Sequence, residues 1–515
     1  MGEPPAAHGQ LVPPVLVATD PKSRGLITLL DGPASSDPER TALIFGDERV
    51  SYAGLAAATR SCAAGLRRAG AAPGWRIPVA DDASLLAVAA VLGAPRMGAV
   101  AALMNPRLTP GELADLIHTA QTAPLGVAGP RYADALARAM DRPVFGPELT
   151  STAADDLTTI REPEPDTEAV VLFTSGTTGS PKAVPITHGV LAPRIAAFAP
   201  AFDPAIPPSI SLMCVPLVHI GGTLGLFVSL ARANTTVALT RFDAGEWLAL
   251  VARHRVNTSF LVPTMLHRIL EHPDFATSDL SSLTEITYGA APASPDLIRA
   301  AMTALPTVAF SNVFGQTETL GSITALSPAD HAAGKLASVG RPLPGVEVRV
   351  VDPVTGEDLA TSTVGELWVK TAASVAAPPE TAGPRVDPGW LRTGDMVSVD
   401  GDGYIYPAGR LSDTINRGGE KFAPAEVEAA LATHPRVRDV AVGGYPDPEM
   451  GQRVGAAVVA PDPVSAEELR DHCRGRVADF KLPERIVFVE EIPYNDFGKV
   501  ARKALANVLA GETGR

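Results

Sequence analysis

Residues 172–188 read LFTSGTTGSPKAVPITH, in which an apolar run leads into a segment of Ser, Thr and Gly followed by a lysine. A glycine-rich loop after a strand can direct several backbone N–H groups at one anion, and hydroxyl side chains add further donors. Such a loop suits a polyphosphate, with the lysine supplying positive charge. The candidate ligands are Thr174, Ser175, Gly176, Thr177, Thr178, Gly179 and Lys182.

The loop alone leaves two interpretations open. Its composition is also typical of a flexible linker. It is not a Walker loop, because Pro181 stands where the pattern G-x-x-x-x-G-K-[ST] requires the second glycine. The choice between phosphate binding and a linker therefore depends on the rest of the chain.

Further motifs follow this loop and precede it. Together with TSGTTGSPK they resemble the signatures of the adenylate-forming superfamily, which contains acyl-CoA synthetases, the adenylation domains of peptide synthetases, and luciferases. The resemblance extends from about Asp31 to the C terminus. The matching segments are NPRLTPGEL at 105–113, PLVHIGG at 216–222, YGAAPA at 288–293, NVFGQTE at 312–318, GWLRTGD at 389–395, GRLSDTI at 409–415 and PYNDFGKVAR at 493–502.

The resemblance implies an ATP site distributed over several of these segments. It assigns Phe314 to stacking on adenine, Asp395 to the ribose, and Arg410 to the ribose and the phosphates. The segment YGAAPA is implied to border the adenine. The other nucleotide-binding residues that it implies are Gly289, Ala290, Ala291, Pro292 and Gly315.

The resemblance also implies the reacting groups. Thr317 would bond the α-phosphate, Glu318 would hold Mg²⁺, and Lys499 would bridge the incoming carboxylate and that phosphate. Attack of a carboxylate on the α-phosphorus of ATP brings two anions together, so both must be neutralised and held in line. A hard cation prefers oxygen ligands, and a lysine serves as a point charge at the reaction centre. The implied cofactors are ATP, Mg²⁺ and, as acceptor, CoA.

The implied acid pocket and CoA channel complete the site. The pocket candidates are His219, Gly221, Gly222, Thr223, Thr319 and Ser322, and the channel candidates are Gly418, Gly419 and Lys421. His219 is either a gate to the pocket or a core histidine. The two channel glycines either admit a pantetheine chain or only form a tight turn, and Lys421 is equally a solvated surface amine.

The chain departs from the family pattern at several positions. Ala183 stands where glycine is usual, Phe314 replaces the commoner tyrosine, and Val218 replaces an aromatic residue, which would reshape the pocket. Ser412 replaces the commoner Asp or Lys at the hinge between domains. The segment 371–388 lacks the usual Gly-Tyr pair and is rich in Ala, Pro and Gly, which predicts a surface loop.

Composition narrows the classes of partner. The 43 basic and 57 acidic residues give a net charge of −14, which argues against a nucleic acid or an anionic membrane as the main partner and favours a small molecule. The three cysteines lack the paired spacing of a zinc site or a disulfide framework, which indicates a reducing, cytoplasmic setting. The oligomeric state has no signature in the sequence.

An apolar stretch at 83–104 is interrupted by Pro95 and Arg96. A helix long enough to cross a bilayer needs about 20 consecutive apolar residues. The interruption therefore predicts a core helix followed by a strand, and no membrane anchor.

An α/β fold of two domains is needed to position these motifs. Up to about residue 400, helical patterns alternate with the runs TALIF, RIPVA, AVVLF and SISLM at 41–45, 76–80, 169–173 and 209–213, which predicts parallel sheets covered by helices. The later part predicts a small, mobile α+β domain, in which Ser465 and Glu468 cap a helix. We expect a large domain over 1–411, irregular over 1–30, and a small domain over 412–515, with the hinge at Ser412.

The leading functional interpretation is an ATP-dependent acid:CoA ligase that releases pyrophosphate and then AMP. A second keeps the adenylation but passes the activated group to an amine or a carrier-protein thiol, or activates an oxyanion other than a carboxylate. A third is a non-catalytic nucleotide-binding regulator. Glu318, Asp395 and Lys499 argue against the third, because a binding module needs no charge at a reaction centre.

Overall fold

The computed structural model describes residues 25–151, 163–175, 181–199, 208–375, 389–418, 420–494 and 500–511. Its helices are α1 (Asp31–Ser36), α2 (Tyr52–Arg68), α3 (Leu85–Gly93), α4 (Pro110–Ala120), α5 (Ala133–Met140), α6 (His188–Phe198), α7 (Ile220–Ala231), α8 (Ala244–His254), α9 (Pro263–Leu270), α10 (Pro295–Ala304), α11 (Pro328–Ala332), α12 (Pro424–Ala432), α13 (Ala466–Cys473) and α14 (Arg502–Ala510). Side-chain caps open several of them: Ser51 accepts from the Gly54 N–H before α2, and Thr109 and Glu112 form a capping box at α4.

The strands up to residue 410 are β1 (Thr41–Phe45), β2 (Glu48–Ser51), β3 (Arg76–Ala80), β4 (Val100–Leu103), β5 (Gly126–Ala128), β6 (Val144–Phe145), β7 (Glu168–Ser175), β8 (Pro181–Thr187), β9 (Ile210–Met213), β10 (Thr235–Ala238), β11 (Thr258–Leu261), β12 (Glu285–Gly289), β13 (Ala309–Gln316), β14 (Gly321–Leu326), β15 (Arg341–Pro342), β16 (Glu347–Val351), β17 (Gly365–Lys370), β18 (Leu391–Val399) and β19 (Ile405–Arg410). The four predicted runs fall on β1, β3, β7 and β9.

Two sheets form the body of the large domain. The first has the order β6-β5-β3-β4-β7-β8 and the second β15-β14-β13-β12-β11-β9-β10-β1-β2. Their central strands pair in parallel, whereas β8 and β2 and the pair β14 and β15 run antiparallel at the edges. One apolar core joins the sheets through α2, α3 and α7, and includes Leu43, Leu55, Ile77, Val88 and Phe227. The predicted parallel sheets with covering helices are confirmed for this part.

The parallel prediction is wrong for residues 347–410. Here β16, β17, β18 and β19 form a separate, wholly antiparallel sheet. Alternating apolar and polar positions identify a strand but not the direction of its partner, because partner direction depends on how long the connections are and where they lead. This sheet packs against the second sheet through Leu367, Val397 and Ile405, which contact Ile323 of β14.

The small domain contains β20 (Ile415–Arg417), β21 (Glu420–Phe422), β22 (Asp439–Asp447), β23 (Gly451–Val459) and β24 (Arg485–Phe488). Its sheet has the order β21-β20-β23-β22, and β24 pairs with β23 in parallel. The cap predicted for α13 is present, since Ser465 Oγ accepts from the Glu468 N–H at 3.1 Å. A 3-10 turn, Leu411–Asp413, separates this sheet from β19.

The apolar stretch at 83–104 has the predicted form. It contains α3, a 3-10 turn (Ala94–Met97) and β4, all within the core of the large domain. Among the described helices, none has the length and apolarity that crossing a bilayer requires. Cys62, Cys214 and Cys473 are free thiols and buried.

Candidate active site

The phosphate-loop candidates that the structure describes lie on two paired strands. After the loop, the chain forms β8, which pairs antiparallel with β7 so that Thr174 is opposite Lys182. Directly opposite residues share a face of the sheet, so both side chains lie on the same side of it. Both side chains are half-buried. The predicted ligands Gly176, Thr177, Thr178 and Gly179, and the side chain of Ser175, lie outside the described residues.

The predicted adenine border follows the carboxyl end of β12. Gly289 pairs with Val313 of β13, and a Cβ on Gly289 would overlap the carbonyl oxygen of Val313. Ala290 then adopts φ +66°, an unusual value for a residue with a side chain. Ala290 and Pro292 are exposed and Ala291 is half-buried. The strand thus ends in a turn that presents its backbone beside Phe314.

The segment from Phe314 to Glu318 is shaped by a bulge and a tight turn. The β13–β14 register shifts between Phe314 and Gly315, and a Cβ on Gly315 would overlap the carbonyl oxygen of Gly321. Phe314 is half-buried against the apolar cluster around Ile323. The 3-10 turn Thr317–Thr319 follows β13 directly, so Thr317 and Glu318 lie just beyond the carboxyl end of this strand.

Glu318 is placed by a backbone contact that the sequence did not indicate. Its carbonyl oxygen accepts the Val375 N–H at 2.8 Å, and Val375 is buried in the main core. The surface loop predicted for 371–388 is therefore wrong at Val375, because an apolar residue there gains more from core packing than from exposure. Residues 376–388 lie outside the described residues.

The Glu318 carboxylate would suit a magnesium ion. It is half-buried, and no basic side chain of the described residues forms an ion pair with it. Within the described ranges there is also no cluster of three or more His, Cys, Asp or Glu that could hold a metal. A single carboxylate agrees with Mg²⁺ because this ion keeps several waters and is often bound through one or two carboxylates together with substrate phosphates.

Asp395 and Arg410 form an ion pair across neighbouring strands. They are register partners in β18 and β19, and Arg410 Nε lies 2.9 Å from Asp395 Oδ1. Asp395 is 7% exposed, and its N–H donates to the Thr393 hydroxyl at 3.1 Å. The Arg410 side chain is 46% exposed. A buried carboxylate beside an exposed cation can accept from sugar hydroxyls while the cation faces phosphate.

The predicted acid-pocket residues meet where α7 begins. His219 precedes the first turn of α7, and a Cβ on Gly222 would overlap the carbonyl oxygen of Pro216. The space beside Gly321 is bordered by Leu224 of α7, 3.3 Å from where a Cβ would lie. Gly221 is exposed and Ser322 is half-buried.

The two predicted pocket threonines bond the backbone with their hydroxyl groups. Thr223 and Thr319 are almost completely buried. The Thr223 hydroxyl donates to the Leu217 carbonyl, and the Thr319 hydroxyl bonds the carbonyls of Gln316 and Gly321. Both hydroxyl groups are thus hydrogen-bonded to backbone carbonyls. These bonds stabilise the turns that border the candidate pocket.

Residues to which the sequence gave no role also lie in or near the candidate site. His219 borders a cavity together with Asp81, Asp82, Asn105 and Arg107. The segment NPRLTPGEL was recognised at the sequence level but not assigned to the site, and the spacing of the two aspartates gave no signal. Arg194, in α6, is a second omission. A charged residue inside the apolar run HGVLAPRIAAF was the available clue.

The predicted channel and catalytic lysine are described only in part. Gly418 adopts φ +60° and donates its N–H to the Met450 carbonyl at 2.8 Å, which ties it to the residue before β23. Gly419, the side chain of Lys421 and all of Lys499 lie outside the described residues. The ends of the segment that contains Lys499 are tied together, because Tyr494 pairs with Val500 and the Ala501 N–H donates to the Pro493 carbonyl at 2.7 Å.

Comparison with known proteins identifies the family. The model of the "AMP-binding enzyme" family matches residues 30–377, and that of the "AMP-binding enzyme C-terminal domain" matches residues 426–499. The first match alone covers more than half of the chain.

Individual relatives agree with these matches. A fatty acid–[acyl-carrier-protein] ligase of Streptomyces coeruleorubidus is 31% identical, over 96% of this chain and 98% of its own. A feruloyl-CoA synthase of Amycolatopsis is 32% identical, over 91% and 96%. The structure of o-succinylbenzoate CoA synthetase from Bacillus subtilis in complex with its acyl-adenylate superposes with a TM-score of 0.81 at 30% identity, over 93% and 97%. The chain therefore belongs to the AMP-binding enzyme family and is an adenylate-forming ligase of the acid:CoA ligase type.

Proposed function

We propose that this ligase activates a carboxylic acid at the junction of β13, α7 and β18, and then transfers the acyl group to the thiol of CoA. The observation that carries the proposal is the buried Asp395 carboxylate paired with the exposed Arg410 guanidinium at 2.9 Å. The pair offers an acceptor for ribose hydroxyls next to a charge for phosphate. Arg410 also lies two residues before Ser412, the proposed hinge.

The roles of the other groups follow from their chemistry. Thr317 donates to the α-phosphate, and Lys182 and Arg410 offset the charge of the polyphosphate. Glu318 would hold the magnesium ion, which when bound neutralises phosphate charge and orients the chain of phosphates. Phe314 and the backbone at 289–292 border the base. The acid enters beside His219, Gly221 and Ser322.

The reaction forms a bond between a carboxylate oxygen and the α-phosphorus and breaks the bond to pyrophosphate. Lys499 supplies a positive charge to both reacting groups in this step. Rotation of the small domain at Ser412 then withdraws Lys499 and brings the turn at Gly418 towards the adenylate, where a thiolate displaces AMP. The 3-10 turn Leu411–Asp413 is short and lies between two sheets, as such a rotation requires.

The acceptor is proposed from the relatives. Feruloyl-CoA synthase and o-succinylbenzoate CoA synthetase both name CoA, whereas the Streptomyces coeruleorubidus ligase, which aligns with 96% of this chain, names an acyl-carrier protein. A carrier-protein thiol is therefore the second candidate acceptor. Both acceptors present the same nucleophile, so the adenylation chemistry is common to them.

Pyrophosphate release from ATP and Mg²⁺ tests the function directly. The assay would cover short, long, aromatic and dicarboxylic acids, each with and without CoA. We expect release that depends on one class of acid and is accelerated by CoA, with a thioester as product. Acid-dependent release that ignores CoA would favour a carrier-protein or amine acceptor, and no acid-dependent release would contradict the proposal.

Lys499→Ala tests the catalytic lysine. Removal of one preorganised charge at the reaction centre should slow adenylation by about 10²–10³. The measurement is the acid-dependent ATP–pyrophosphate exchange rate, with Lys503→Ala in α14 as the matched control. Unchanged exchange in Lys499→Ala would remove this residue from the mechanism.

A further inference from the structure

Arg194 is a charged side chain buried inside the large domain. It lies in α6, which follows directly from the β7–β8 hairpin, and is 7% exposed. Burial lowers its pKa to about 10, and no acidic side chain of the described residues forms an ion pair with it. Burial of a guanidinium group costs free energy unless its N–H groups are hydrogen-bonded. The hydrogen-bond partners of the guanidinium therefore indicate its role.

The guanidinium connects α6 to the turn after the 3-10 segment Thr317–Thr319. Arg194 Nε donates to the Leu320 carbonyl at 3.1 Å, and Nη2 donates to the Ser322 carbonyl. The two acceptors flank Gly321, and Leu320 and Gly321 both have positive φ, +50° and +85°. Two consecutive residues of this kind form a sharp turn at the start of β14, and a bidentate donor to the carbonyls on either side of Gly321 stabilises it.

This turn separates two parts of the site. Glu318 lies two residues before Leu320, and Ser322 borders the acid pocket. On its other side the turn faces α7, where Leu224 and Ile220 lie 3.3 and 3.9 Å from the Cβ position of Gly321. A shift of the turn would therefore move the wall of the acid pocket relative to the phosphate-binding residues.

We propose that Arg194 is a positioning residue that sets the width of the acid pocket by holding turn 320–322 against α7, and so determines which acids fit. The inference rests on the proposed acid pocket. Lysine cannot replace arginine here, because one ammonium group does not present two donors in a fixed plane to two carbonyls. The ring of Phe198, 4.6 Å from the guanidinium carbon, holds the side chain from the other side.

The test compares the parent enzyme with Arg194→Lys and Arg194→Gln over straight-chain acids of increasing length and benzoate. Loss of one charged hydrogen bond should raise KM for the best acid about tenfold in Arg194→Lys. KM for ATP should change less than about twofold, and the order of acids by kcat/KM should change. Arg232→Lys is the matched control, because Arg232 also donates to a backbone carbonyl, that of Phe198 at the far end of α6.

The outcomes separate positioning from general stability. An equal loss of kcat/KM for all acids and for ATP, in proportion to the folded fraction seen by thermal melting, would overturn the proposal. Unchanged KM and acid order in Arg194→Lys would overturn it as well, and this variant decides the question if Arg194→Gln does not fold. A parent enzyme inactive towards every acid would instead contradict the proposed function.

Discussion

The two carboxylates proposed for nucleotide binding, Glu318 and Asp395, lie in different surroundings. Glu318 is half-buried without a basic partner among the described residues, whereas Asp395 is buried and paired with Arg410. An unpaired carboxylate keeps its charge available for a cation, and a paired one is held in place as a hydrogen-bond acceptor. The two residues should therefore respond differently to loss of charge.

Glu318→Gln should weaken the binding of the magnesium ion that adenylation needs. Loss of a charged oxygen ligand should raise the half-saturating Mg²⁺ concentration by about tenfold, equivalent to ~1.4 kcal/mol. Magnesium titrations of pyrophosphate exchange measure this, with the exposed Glu271→Gln as control. Superimposed titrations of the variant and the parent would exclude Glu318 as the ligand.

Asp395→Asn should instead raise KM for ATP by about tenfold, equivalent to ~1.4 kcal/mol, and leave the magnesium titration unchanged. The amide keeps the shape of the side chain but loses the charge that holds Arg410. The matched control is Asp358→Asn, because the exposed Asp358 carboxylate pairs at 2.7 Å with Arg349, which belongs to the same antiparallel sheet. If both variants raised KM equally, sheet stability and not ribose binding would explain the effect.

At the level of secondary-structure elements, the turn after β13 positions the candidate active-site residues of this segment. The bulge at Phe314 and Gly315, the 3-10 turn Thr317–Thr319 and the left-handed residues at 320–321 follow one another closely along the chain. Close approach of two backbones makes this possible, since Gly315 has no room for a side chain against Gly321.

Gly315→Ala should force β13 away from the start of β14. Overpacking of this kind costs about 1–3 kcal/mol, and ATP binding should weaken together with thermal stability. Gly225→Ala in α7 is the matched control, because no heavy atom lies within 4 Å of its Cβ position. Thermal melting with and without ATP measures both effects, and an unchanged melting temperature in Gly315→Ala would contradict the close contact.

At the level of the whole molecule, one ion pair links the 3-10 turn Leu411–Asp413 to the last helix. Arg502, the first residue of α14, lies 3.0 Å from Asp413 Oδ2 and donates to the Val442 carbonyl at 2.7 Å. Asp413 directly follows Ser412, and α14 follows the segment that contains Lys499. The small domain, its last helix and the turn should therefore move together.

Asp413→Asn and Arg502→Gln should loosen this connection. A partly exposed pair contributes only about 0.2–1 kcal/mol to stability, so both variants should remain folded. Adenylation and thioester formation should nevertheless change in ratio, because the proposed rotation gives the small domain a different orientation in each step. Single-turnover rates of each step measure this, with the exposed pair Arg474 and Asp471 as control. A constant ratio of the two rates would argue against coupling at this turn.

Local patterns were sufficient for much of the fold. The runs at 41–45 and 76–80 coincide with β1 and β3, because β-branched apolar segments between turn residues have few alternatives. The strand β8 was not predicted, since Pro181 and Pro185 argue against a strand. Its place at the edge of the first sheet explains why prolines are tolerated there.

The sequence by itself determined the family, the order of its motifs and the α/β architecture, because residue types and their spacing carry that information. Only the tertiary structure decided that residues 347–410 pair antiparallel, that Val375 is buried against the Glu318 backbone, and that Arg194 bonds the carbonyls around Gly321. These contacts join residues far apart in the chain. They depend on which surfaces the folded core brings together, and no local pattern specifies that.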